Sequence, residues 1–111
     1  MKVSIDNIGG QIAKSDDRYI VTDNTSLKNL VVSSTDLKRL KSTSGHAHAG
    51  QEEVYHFVSG SGVIELDERT YSVKSGDIVL IEDGVFHRVH AGSDGCYFIC
   101  VFDGTRHDKR S

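Results

Sequence analysis

His46 and His48 stand two residues apart in Gly45-His46-Ala47-His48, and two carboxylates, Glu52 and Glu53, follow within five residues. On a strand, residues two apart project from the same face. Their Cα atoms then lie about 6.6 Å apart, close enough for two imidazoles to converge on one ion. A His-x-His pair alone is more often polar surface than a metal site. Its neighbours add weight. Glu52 or Glu53 opens the next extended run, where the chain has turned back. A carboxylate there can face the histidine pair and lower the charge cost of holding a divalent cation. His87 follows a further turn, in Asp83-Gly84-Val85-Phe86-His87. Three imidazoles and one carboxylate suit zinc, iron, copper, nickel or manganese.

Short strands punctuated by Gly and Asp turns must position these side chains. The expected strands are 27–34, 37–48, 54–60, 63–66, 70–73, 78–81, 85–91 and 96–102, with turns at Ser61-Gly62 and Gly92-Ser93-Asp94-Gly95. Residues 1–26 read less clearly, with Lys2–Ile5 and Tyr19–Thr22 as flanking strands. No amphipathic helix stands out. The pattern predicts an all-β sandwich or barrel, and about eight strands suit a jelly roll. With 111 residues the chain reads as one domain, 1–111, with a barrel core over about 28–102.

Composition narrows the partners. A net charge of −3 disfavours nucleic acid, which requires a basic face. The basic run Arg106-His107-Asp108-Lys109-Arg110 reads as a solvated terminus. No apolar run reaches membrane-spanning length and no signal peptide is evident, so a cytoplasmic location is expected. Cys96 and Cys100 on one strand would lie about 13 Å apart. A disulfide requires roughly 4.4–6.8 Å, so both are expected to stay reduced.

The spacing of the two histidine-bearing segments resembles the cupin family. The first cupin motif is Gly, five residues, His-x-His, three or four residues, Glu, six residues, Gly, and His46, His48, Glu53 and Gly60 match it. Gly76, Gly84 and His87 match the second motif. Leu40, Glu82 and Ala91 depart from the pattern at positions that are not ligands. The resemblance spans about residues 40–91. It implies a double-stranded β-helix and one divalent transition metal held by His46, His48, Glu53 and His87.

Alternation places further residues. Counting by two from Glu53 brings Tyr55 and Phe57 inward and turns Val54, His56 and Val58 outward. Val89 and Ala91 share the face of His87. Ser42 and Ser44, expected on the ligand face of the strand leading to His46, are pocket candidates together with Tyr55. Outward valines flank His56, and the edges of a small jelly roll need cover, so a homodimer is expected. The resemblance admits three functions. The first is a metal-dependent isomerase or epimerase acting on a sugar, sugar phosphate or keto acid. The second is an iron-dependent dioxygenase. The third is a non-catalytic cupin that binds a small molecule.

Overall fold

The computed structural model describes residues 1–104; the basic run at 106–110 lies outside them. Among the described residues seven strands form the fold: β1 Gln11–Ser15, β2 Tyr19–Asn24, β3 Leu30–Leu37, β4 Glu53–Leu66, β5 Arg69–Lys74, β6 Ile78–Ile81 and β7 His87–Asp103. All pairings are antiparallel, and the order β1-β2-β3-β7-β4-β5, with β6 also on β4, curls into the expected jelly roll. No helix of the described residues is long and apolar enough to cross a membrane.

The strand count differs from the sequence reading for a physical reason. Ser61-Gly62 and Gly92–Gly95 were expected to reverse the chain, yet both lie inside continuous strands. The register passes from Gly60↔Cys96 to Gly62↔Ala91, so residues 92–95 sit opposite the single residue Ser61. This is a bulge that bends both strands at once. Below the bend, one edge of β4 pairs with β6 through Glu53–His56; above it, the same edge pairs with β5 through Ser61–Leu66. One long strand thereby serves both layers of the roll.

A second difference concerns 37–48. Beyond Leu37 the segment is not a regular strand. It follows β7 through isolated bridges, Ser42↔His90 and His46↔His87. Left-handed backbone at Leu40 (φ 61°) and Gly45 (φ 81°) breaks the extended run. Between these points Thr43 takes over part of the ladder: its N–H donates to Val89 O, and its Oγ1 accepts the Val89 N–H. At the N-terminus, Lys2–Ile5 forms no strand and contributes only a Ser4↔Asn7 bridge. The unanticipated β1 instead pairs with β2, which contains the expected Tyr19–Thr22.

The core lies between the layers. Phe57, Phe98, Leu37, Ile64 and Val89 are its most buried apolar side chains. Tyr55, Phe57 and Phe98 form an aromatic stack, with Tyr55 and Phe98 ring centres 5.1 Å apart. The alternation predicted for β4 and β7 holds. Tyr55, Phe57, Val89 and Ala91 are buried, while Val54 is exposed and His56 half-buried.

Candidate metal centre

His46 and His87 are brought together by backbone pairing. His46 N–H donates to His87 O at 3.1 Å, and His87 N–H donates to His46 O at 3.0 Å. The imidazoles follow, with ring centres 4.9 Å apart and nearly perpendicular. His48, two residues on, holds its ring 5.0 Å from that of His46. The turn behind it is tied down when Gly84 N–H donates to His48 O and Gly50 N–H donates to Asp83 Oδ1. Glu53 opens β4 between Ile81 and Phe102 and is only 3% exposed. Glu52, its neighbour, faces solvent.

The state of His87 bears on a cation. Its Nδ1 lies 3.1 Å from Val85 O. A carbonyl only accepts, so Nδ1 carries a proton, which leaves Nε2 as the ring nitrogen that can offer a lone pair to a metal. That Nε2 is buried, makes no hydrogen bond, and stands 3.1 Å from Glu53 Oε2. A proton or a metal ion between this nitrogen and the carboxylate oxygen would satisfy both. The donor set fits a borderline divalent metal. Among the described residues no three His, Cys, Asp or Glu side chains already form a closed metal-holding group. The four converge as neighbouring pairs, and the 3.1 Å between His87 Nε2 and Glu53 Oε2 is a separation that two ligands of one ion can keep.

A cavity of about 110 Å³ adjoins this centre, with His46, His87, Tyr55 and Ser44 in its lining. Tyr55 presents its ring edge-on to His87, with centres 5.6 Å apart. Two of the three pocket candidates, Ser44 and Tyr55, thus line the cavity. Ser42 does not: its Oγ lies 2.6 Å from His90 Nδ1, and His90 Nε2 in turn contacts Glu65. The irregular backbone around Leu40 and Gly45 defeats the alternation count, and Thr43 takes a place in the lining.

Much of the remaining wall comes from the region that resisted sequence reading. Ala13 and Lys14 of β1 and Tyr19, Val21 and Asp23 of β2 all line the cavity. Inward alternation in Tyr19-Ile20-Val21-Thr22-Asp23 was the available signal for β2. Arg18 sits at the β1–β2 turn, where Asp16 holds it at 2.8 Å. The guanidinium in turn keeps the Asp16 carboxyl below the usual carboxylate range.

Neither cysteine forms a disulfide among the described residues, and both are buried. Burial pushes the Cys96 thiol up to about 11, so it is protonated near neutrality and a poor nucleophile.

Comparison with known proteins agrees with this architecture. The family model described as Cupin domain matches residues 38–102. Over 44 residues the chain is 34% identical to an uncharacterized protein of Methanocaldococcus jannaschii, covering 40% of this chain and 35% of that protein. The chain thus matches about a third of the length of this curated relative. Among solved structures, KdgF from Halomonas sp. superposes with a TM-score of 0.77 at 16% identity, covering 88% of this chain and 91% of its own. An RmlC-like cupin from Shewanella frigidimarina gives 0.76 at 18% identity, covering 89% and 87%. At such low identity these likenesses concern the fold alone.

Proposed function

Because the chain belongs to the cupin family, we propose that it is a metal-dependent enzyme acting on a small polar substrate. His46, His48, Glu53 and His87 hold one divalent ion, whether iron, manganese, zinc, nickel or copper. The observation that carries this reading is the His87–Glu53 pair, a buried ring nitrogen without a hydrogen bond 3.1 Å from a buried carboxylate oxygen beside two further imidazoles and a cavity. When bound, the metal supplies Lewis-acid polarisation of a carbonyl or hydroxyl oxygen.

The chain's own residues supply the remainder. Tyr55 and Phe98 stack behind the cavity and keep water from that side. Asp23 brings a carboxylate to the lining, where it can take a proton from a carbon or oxygen of the substrate. Size limits what is enclosed. A protein cavity of about 150 Å³ takes a benzene ring, so one of this size encloses roughly four to six non-hydrogen atoms. A keto acid, or the reacting end of a sugar, fits within that bound, and a whole sugar phosphate exceeds it. With Asp23 on the lining as a base, isomerase- or epimerase-like proton transfer is the reaction we propose.

The test is proton NMR in D2O of metal-loaded protein with small 2-oxo and 2-hydroxy acids and aldoses, with dioxygen monitored in parallel. Deuterium is expected to enter a C–H bond beside the polarised oxygen faster than with free metal, without dioxygen uptake. Dioxygen uptake on iron without exchange would overturn this reading in favour of an oxygenase. Neither signal would leave a binding protein.

The same reading includes a homodimer. Val54 opposite Leu80, and His56 opposite Ile78, form an outward row across β4 and β6, with Leu80 69% exposed. A second copy would remove this apolar row from water. Sedimentation at micromolar concentration is expected to give twice the chain mass; a monomer would contradict the dimer.

A further inference from the structure

We propose that the cavity wall built by β1 and β2 recognises the carboxylate of a small organic acid, with Lys14 as the specificity-determining residue. This deepens the reading above by naming the ligand class, and it rests on that reading in taking the cavity as the ligand's place.

β1 contains a bulge. Ile12 pairs with Thr22, whereas Lys14 pairs with Val21, so β1 spends two residues where β2 spends one. Without the extra residue, Ile12 and Lys14 would share the outer face. The bulge at Ala13 turns Lys14 to the face of Val21, which lines the cavity, and Lys14 lines it too. Re-aiming one side chain is what bulges beside binding sites do. None of the ion pairs among the described residues involves Lys14, so its ammonium is available to a ligand.

A second observation concerns two hydroxyls. Arg18 Nη1 donates to Ser44 Oγ at 2.7 Å, and Arg18 Nη2 donates to Tyr19 Oη at 2.9 Å. A guanidinium only donates. Both hydroxyls therefore accept in these bonds and keep their own hydrogens to give elsewhere. Ser44 and Tyr19 both line the cavity. Arg18 is itself fixed by Asp16 and lies over the Tyr19 ring, 4.4 Å from its centre. The wall thus combines Lys14 with two hydroxyls that each keep a hydrogen to donate, a set suited to a planar anion. Asp23 on the same lining opposes a second negative charge, which favours a monocarboxylate. Lys14, Arg18 and Tyr19 all precede residues 38–102 matched by the family model, so this wall is a feature of the chain beyond the matched segment.

The test is calorimetric titration of metal-loaded and metal-stripped protein with acetate, glycolate, pyruvate and the neutral pyruvamide, repeated on Lys14→Gln and Lys14→Arg. Metal content is measured separately on each. At least one acid should bind with a Kd of about 10 mM or tighter, and pyruvamide at least about tenfold more weakly than pyruvate. In stripped protein, Lys14→Gln should weaken the acid about tenfold and leave pyruvamide unchanged, and Lys14→Arg should restore most of the loss. No acid binding, equal binding of acid and amide, or an unaffected Lys14→Gln variant would overturn the proposal. Acid discrimination that depends on Lys14 in a protein that takes up no metal would uphold the subsite and refute the metal reading. Metal uptake with no effect of Lys14→Gln would do the reverse.

Discussion

Replacing His48 with Ala is expected to lower bound metal from about one equivalent to a small fraction, with affinity reduced at least about a hundredfold. Loss of a partner behind a ligand already costs about ten- to a hundredfold, and His48 is itself one of the four donors. Its ring stands 5.0 Å from that of His46 and outside the aromatic stack of the core, so the variant should fold. Glu52→Ala provides the control. Glu52 faces solvent whereas Glu53 is buried against His87, so metal content should be unchanged in Glu52→Ala. Elemental analysis of the two variants beside the parent protein reads both expectations. Full metal content in His48→Ala, or an equal loss in Glu52→Ala, would refute the ligand assignment.

The second large effect is on stability. Gly60→Ala is expected to cost about 4 kcal/mol or more, in the range reached only by a specific structural fault. Gly60 has φ +76°, and a Cβ there would lie 2.1 Å from Gly95 O and 2.8 Å from Gly95 C. Those are backbone atoms of the neighbouring strand at the point where β4 and β7 bend together, and they cannot move aside singly. Gly76 separates the two causes. It also has positive φ, +96°, but nothing lies within 4 Å of the Cβ position. Gly76→Ala should therefore cost only the left-handed backbone penalty, about 1–2 kcal/mol. Urea unfolding of both variants measures the difference; equal costs would show that close strand approach at Gly60 is not what holds the bend.

What the sequence disclosed depended on how regular the backbone is. Along β4 and the first part of β7, two-residue alternation carried from Glu53 to Tyr55 and Phe57, and from His87 to Val89 and Ala91. These residues are buried as counted. The same rule failed at Ser42, where positive φ at Leu40 and Gly45 lets the chain leave the strand conformation. Turn composition marked the right places at Ser61-Gly62 and Gly92–Gly95 but not the right event. Small residues that permit a reversal also permit a bulge, and only the partner strand decides between them. The imidazole set was legible from spacing. The pairing of His46 with His87 was not, because it is a backbone bridge between segments about forty residues apart. Lys14 gave no signal at all. Its direction follows from one extra residue in β1, which no local pattern announces.

The central claim is that His46, His48, Glu53 and His87 hold one metal ion. Its most direct test is elemental analysis of untagged protein purified without chelator, followed by titration of any vacant fraction with zinc, manganese, nickel and iron. The account predicts saturation at about one equivalent per chain. Protein that carries no metal and takes up none on titration would contradict it, and would mean that the four side chains do not hold a cation.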